Sequence, residues 1–170
     1  MNFSAENIKI MELTIDIDVT DLRILDRLQR DASLSNQDLA AEIHTSPATC
    51  LRRVKRLVDS GVIERRVAIL SVQKLGAGLS AFAEVSLDRQ GAEHIAAFEA
   101  RAVAEPGVQQ CHRVSSGPDL MLLLQVEDMA AYHALVQRLF TQDANVRNVK
   151  TFFSVHRAKF DPSIRLPLTV

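Results

Sequence analysis

The sequence predicts an α+β chain: an N-terminal three-helix unit with helix-turn-helix spacing, then a βαββαβ half in the ferredoxin-like order. Three observations predict it. Apolar residues recur at helical spacing, between capping residues, through the first third of the chain. From "SAFAEVSLD" onward the apolar period drops to two, as in half-buried strands. Between these regimes lies "SVQKLGAGLS", a stretch with two glycines that reads as a hinge. The expected organisation is a loose arm over residues 1–16, a helical domain over 17–70, a hinge over 71–79, a βαββαβ domain over 80–160 and a tail over 161–170.

The first helix is expected in "DVTDLRILDRLQRDA", with Asp18 as its cap, Asp21 adding charge to the first turn, and Leu22, Leu25 and Leu28 along one face. "SLSNQDLAAEIHTS" holds a second, shorter helix, capped by Ser35 with Asp38 three residues on, and apolar at Leu39, Ala40 and Ile43. The third starts at Ser46-Pro47, serine as cap and proline where a missing N–H costs nothing, and stops at Gly61. "VIERRVAIL" then reads as a short strand or wing.

In the second half, "SAFAEVSLD" places Ala81, Ala83, Val85 and Leu87 on one face of a strand. A helix through Ile95, Phe98 and Ala102 follows and is stopped by Pro106-Gly107. "VQQCHRVSSG" and "DLMLLLQVED" are two strands about a turn at Ser116-Gly117-Pro118; the apolar run in the second suggests a central strand covered on both faces. A helix capped by Asp128 and a last strand over "VRNVKTFFSVHRAKF" complete the pattern, and prolines in "DPSIRLPLTV" exclude regular helix from the tail.

At 170 residues, with 47% hydrophobic and 24% charged residues, the composition is that of a globular protein. No apolar run approaches the ~18 residues of a membrane span. The polar, acidic start does not resemble an export signal, so a cytoplasmic chain is expected, with Met11 a possible alternative start. Cys50 and Cys111 lack metal or redox spacing and read as reduced thiols. The five histidines are scattered, so no metal site is expected.

Net charge is only −1, yet Arg52, Arg53, Lys55, Arg56, Arg65 and Arg66 crowd one short region against Asp59 and Glu64. A basic stripe on a near-neutral protein points to one anionic partner at one place. On a helical projection centred at Val54, Cys50, Leu51, Leu57 and Val58 fall within about 60° and form the expected core face. Ala48, Thr49, Arg52 and Arg56 project outward, with Arg53 and Lys55 on the flanks. Such a face on the second helix of a helix-turn-helix suits the DNA major groove. Ala48, Thr49, Arg52 and Arg53, near the helix start that Ser46 caps, are the expected base-contacting group. Lys55, Arg56, Arg65 and Arg66 are the expected phosphate contacts. A solvated amphipathic helix is the plainer alternative.

These residues resemble a known family. "DVTDLRILDRLQRDASLSNQDLAAEIHTSPATCLRRVKRLVDSGVIERRVAIL" is similar to the DNA-binding half of the Lrp/AsnC, or feast/famine, transcriptional regulators. "SVQKLGAGLSAFAEVSL" resembles their hinge and first strand, and "VSSGPDLMLLLQVEDMAAYHALV" their effector domain. The resemblance runs in order across residues 17–160. It implies a winged helix-turn-helix followed by an effector and oligomerisation domain. It also implies homodimers built chiefly through the sheet domain and assembling to octamers, at loosely palindromic double-stranded DNA in the nucleoid. An amino-acid effector such as leucine or methionine is implied, with no cofactor, no metal and no membrane.

The family's effector usually sits near the turn joining the two central strands, which often reads Gly-x-x-Asp followed by an aromatic. Here Ser116 stands where the glycine does, Asp119 matches the aspartate, and Pro118 and Leu120 take positions that are often aromatic. The resemblance thus nominates Ser115, Ser116, Gly117 and Asp119: the Asp119 carboxylate for an α-ammonium, the backbone N–H groups at Ser116 and Gly117 for an α-carboxylate. The alternative is that these residues only shape a hairpin. Two other functions fit the architecture: a sirohaem-decarboxylase-like enzyme, which needs converging cations and histidines, and an effector-independent DNA-binding or structural oligomer.

Overall fold

A computed structural model describes residues 16–72, 74–76 and 78–167; all but the last residue of the arm expected over 1–16, and the end of the tail, lie outside the described residues. The chain divides into two compact units, one running to Ile69 and taking in the segment from Phe160 on, the other spanning Leu70–Lys159.

The first unit holds α1 (Val19–Leu28), α2 (Asn36–Glu42) and α3 (Pro47–Asp59). Each begins at its expected cap. Asp18 and Asp21 form a reciprocal capping box at α1, Ser35 Oγ accepts the Asp38 N–H at α2, and Ser46 Oγ accepts the Thr49 N–H at α3. Gly61 follows α3 with φ +76°. The turn between α2 and α3 is made by His44 at φ +57°, a conformation that costs a side-chain-bearing residue about 1 kcal/mol. Ile24, Leu28, Leu39, Ala40, Ile43, Cys50 and Leu57 form the core.

Two buried faces differ from the projections. On α1 the buried residues are Asp21, Ile24 and Leu28, with Leu22 and Leu25 at the margin. On α3 they are Cys50 and Leu57, with Arg53 and Val54 half-buried and Leu51 and Val58 exposed. Both helices are turned the same way for one reason: a carboxylate of α1 faces a guanidinium of α3, and the ion pair occupies the contact that leucine and valine were expected to fill. Of the strand or wing expected over residues 62–70, residues 64–70 have no regular secondary structure.

The tail has no regular secondary structure over residues 154–167. It is held to α1 by the Gln29 amide, whose Nε2 donates to Ile164 O at 3.1 Å while its Oε1 accepts the Ile164 N–H at 3.0 Å.

The second unit is β1 (Leu79–Leu87), α4 (Ala92–Ala104), β2 (Val108–Arg113), β3 (Leu120–Val126), α5 (Met129–Val136), whose last turn widens to π spacing over Gln137–Thr141, and β4 (Val146–Phe153). All strand pairs are antiparallel, in the order β2-β3-β1-β4. One face is covered by the helices. Ala81, Ala83, Val85 and Leu87 lie fully buried there with Leu120, Leu122, Leu124, Phe98, Leu135 and Phe140. At the entry to β1, Gly78 takes φ +85°, and a Cβ built on it meets Val126 O at 2.0 Å, so only glycine fits.

The other face is left open by the described residues of this chain. The apolar run of β3 occupies a central strand, but burial alternates along it, leaving Met121 and Leu123 half-buried. The register places Leu123 beside Phe82, and Phe82 beside Phe152, so an apolar row crosses three strands of the open face. β4 ends at Phe153, short of the expected "SVHRAKF" extension, with one further backbone bond to β1, from the Ser154 N–H to Ser80 O at 2.8 Å.

Candidate nucleic-acid interface

The basic residues of α3 fall into distinct settings. Arg52 is exposed and pairs with no carboxylate among the described residues. Lys55 is exposed and reaches Asp59 one turn on at 2.6 Å, a surface pair of the order of 0.3–0.5 kcal/mol that a phosphate readily replaces. Ala48 is exposed, while Thr49 is half-buried, its hydroxyl oxygen accepting from Ser46 Oγ at 2.9 Å. Arg65 and Arg66 lie on the exposed segment after the helix.

Arg53 is different. Its side chain is only 21% exposed, and Nη1 donates to Asp18 Oδ2 at 2.7 Å and Asp21 Oδ1 at 2.9 Å. Its Nε is buried without an acceptor among the described residues. The bond from the Asp21 N–H, and then the guanidinium of Arg53, hold the Asp18 carboxyl below its ordinary range. Arg53 is therefore turned inward, against its expected place among base-contacting residues. Arg56 Nη2 also bonds the Asp21 carboxylate, but the side chain stays 42% exposed. Sequence reasoning read Asp18 and Asp21 as a cap and a helix-dipole charge and missed them as partners of α3. No spacing rule could have linked them, since they lie more than thirty residues from Arg53 and Arg56.

In the second unit, the turn between β2 and β3 exposes Ser115, Ser116 and Gly117, the last at φ +90°. Asp119 is half-buried and tied to β1: its Oδ2 accepts the Leu87 N–H at 2.7 Å and its own N–H donates to Val85 O at 2.9 Å. One carboxylate oxygen is thus committed to β1, and Oδ1 has no hydrogen-bond partner among the described residues. A groove of about 510 Å³ between α5 and β4, lined by Tyr132, Val136, Phe140, Val149 and Phe153 with Arg147 as its charged residue, was not foreseen. Cys50 and Cys111 are both free thiols, pushed up from the ordinary thiol range by burial.

A helix-turn-helix that presents cations on its second helix, joined to a βαββαβ domain, defines a two-domain DNA-binding regulator. Comparison with known proteins bears this out. Residues 80–164 match the Lrp/AsnC ligand-binding domain, and residues 17–64 match a winged helix-turn-helix DNA-binding domain. An HTH-type transcriptional regulator of Haemophilus influenzae is 38% identical over 88% of this chain and 89% of its own. The leucine-responsive regulatory protein of Rhizobium meliloti is 34% identical over 88% and 96%. Among solved structures, a transcriptional regulator of Neisseria meningitidis in complex with L-methionine is 30% identical, with a TM-score of 0.81, over 89% of this chain and 98% of that one. The chain belongs to the Lrp/AsnC family of transcriptional regulators.

Proposed function

We propose that the outward face of α3 reads DNA, with Ala48, Thr49 and Arg52 toward base edges and Lys55, Arg56, Arg65 and Arg66 toward phosphates. The observation that carries this is the exposed Arg52 on a helix capped at Ser46 and anchored through Cys50 and Leu57. Arginine in the first turns of a groove-bound helix can meet guanine O6 and N7 together. Fluorescence anisotropy on duplexes enriched from a random pool tests it: Arg52→Ala weakens the preferred sequence by about ten- to hundredfold and relaxes preference at one position. Unchanged affinity and preference would refute the assigned face.

The dimer forms through the open sheet face, where the exposed Phe82 and Phe152 and the half-buried Leu123 make an apolar row. A two-fold dimer presents two recognition helices, which matches loosely palindromic sites, and dimers then assemble toward an octamer. The effector is an amino acid such as leucine or methionine; the L-methionine complex of the Neisseria relative supports the class. Ser115, Ser116 and Gly117 offer backbone N–H groups and Asp119 its second carboxylate oxygen. By binding the assembly states unequally, the effector shifts their populations and DNA affinity with them. A thermal-shift screen of the twenty amino acids identifies it, since a binder raises the unfolding temperature.

The work is binding rather than catalysis, carried out on DNA in the cytoplasm at the nucleoid.

A further inference from the structure

We propose that Asp21 is a positioning residue for DNA binding: its buried carboxylate holds Arg56 with a free guanidinium edge facing outward, while keeping Arg53 out of the interface. The inference rests on α3 being the DNA-reading helix.

The geometry is specific. Asp21 has a fully buried side chain in the first turn of α1. Oδ1 accepts from Arg53 Nη1 at 2.9 Å, and Oδ2 accepts from Arg56 Nη2 and from the Asp18 N–H at 3.2 Å. Asp18 takes the second bond of Arg53 at 2.7 Å. Two carboxylates therefore face two guanidinium groups, and the cluster has no net charge. Its two cations are not equivalent. Arg53 is bonded twice by one nitrogen and largely enclosed; Arg56 is bonded through Nη2 alone and remains open on its other side.

A guanidinium is a planar fork that can meet a carboxylate on one edge and a phosphate on the other. A carboxylate that grips one edge fixes the plane of the other before DNA arrives, which lowers the rotamer entropy lost on binding. Arg56 lies one helical turn beyond Arg52 on the same face, where a phosphate contact is expected. The recognition helix therefore presents less free charge than its sequence suggests and one pre-set phosphate ligand.

Simple charge balance predicts the opposite sign. If Asp21 only offset positive charge, Asp21→Asn would make the unit more positive and tighten DNA binding. Under the positioning role it weakens binding, by about tenfold on both the selected duplex and an unrelated one, with the ratio between them unchanged. The test is a double-mutant cycle, read by anisotropy with the full-length protein well below its unfolding temperature. In an Arg56→Ala background, Asp21→Asn has no further effect on DNA affinity. Arg56→Lys, which keeps the charge but not the fork, weakens binding without a large change in unfolding temperature, because Arg53 still satisfies Asp21. Arg53→Ala leaves the salt slope unchanged, whereas Arg56→Ala lowers it by about one ion. Tighter binding by Asp21→Asn, or an equal loss in the Arg56→Ala background, overturns the positioning role. Failure of the unaltered protein to enrich any duplex instead overturns the recognition-face reading on which it rests.

Discussion

Phe82 and Phe152 stand side by side on the open face of the sheet, 47% and 54% exposed. Each ring carries about 200 Å² of surface in total, so about 100 Å² of each is available to a partner. At ~25 cal/mol per Å², covering that area stabilises an association by about 2.5 kcal/mol per ring. A two-fold dimer contains each ring twice, so Phe82→Ala removes up to ~5 kcal/mol of association free energy, about 3 kcal/mol if coverage is incomplete. The dissociation constant of the proposed dimer then rises by at least about a hundredfold. Phe82→Ala also removes the buried half of the ring, about 100 Å², so the isolated domain itself loses roughly 2.5 kcal/mol, read separately by chemical denaturation. Sedimentation of the unaltered protein, Phe82→Ala and the Phe82→Ala/Phe152→Ala pair over a wide concentration range measures the shift from dimer to monomer. An unchanged mass for the double variant down to nanomolar concentration would refute the reasoning and place the dimer contact elsewhere.

Two further outcomes follow from single contacts. Gly78→Ala sets a Cβ against Val126 O in a backbone conformation at φ +85°, so chemical denaturation reports a loss of about 3 kcal/mol or more, and a change below about 0.5 kcal/mol contradicts that close approach. The bidentate bond from Arg138, at 3.0 and 2.8 Å, holds Glu105 below its ordinary range, so its stabilisation is complete above the unfolded value of about 4.3 and is lost as pH falls through the lower folded value. Arg138→Gln should therefore be less stable than the parent above about pH 4.3, with the two denaturation curves converging in more acid solution.

Much of the fold was legible because it is written in local chemistry. Asp18, Ser35, Ser46 and Asp128 each satisfy N–H groups that a starting helix leaves bare, whatever the surroundings. The alternation Ala81, Ala83, Val85, Leu87 places one strand face in the core because the pleat has a period of two. A stretch with two glycines, Gly76 and Gly78, separates the two regimes. These signals need no knowledge of distant residues, and they sufficed to place the helix-turn-helix before the βαββαβ half.

The candidate site was legible only in part. The concentration of positive charge on α3 and the exposure of Ala48, Arg52 and Lys55 followed from the projection. The partners of Arg53 and Arg56 did not, because a helical projection carries no information about another helix, and Asp21 bonds both guanidinium groups across the α1–α3 contact. Asp119 tells the same lesson. Its neighbours marked an effector turn, but a bond to the Leu87 N–H, thirty-two residues away in sequence, gives one of its oxygens a structural task first.

The sequence by itself determined where helices begin and end, which strand face is apolar, and that one short helix carries an excess of cations. Those properties depend on caps, periodicity and side-chain type within a few residues. Only the tertiary structure decided which cations are free, which sheet face stays open and which carboxylates are engaged. Each of these depends on groups far apart in the chain, where packing brings a buried charge to the partners that compensate its lost hydration.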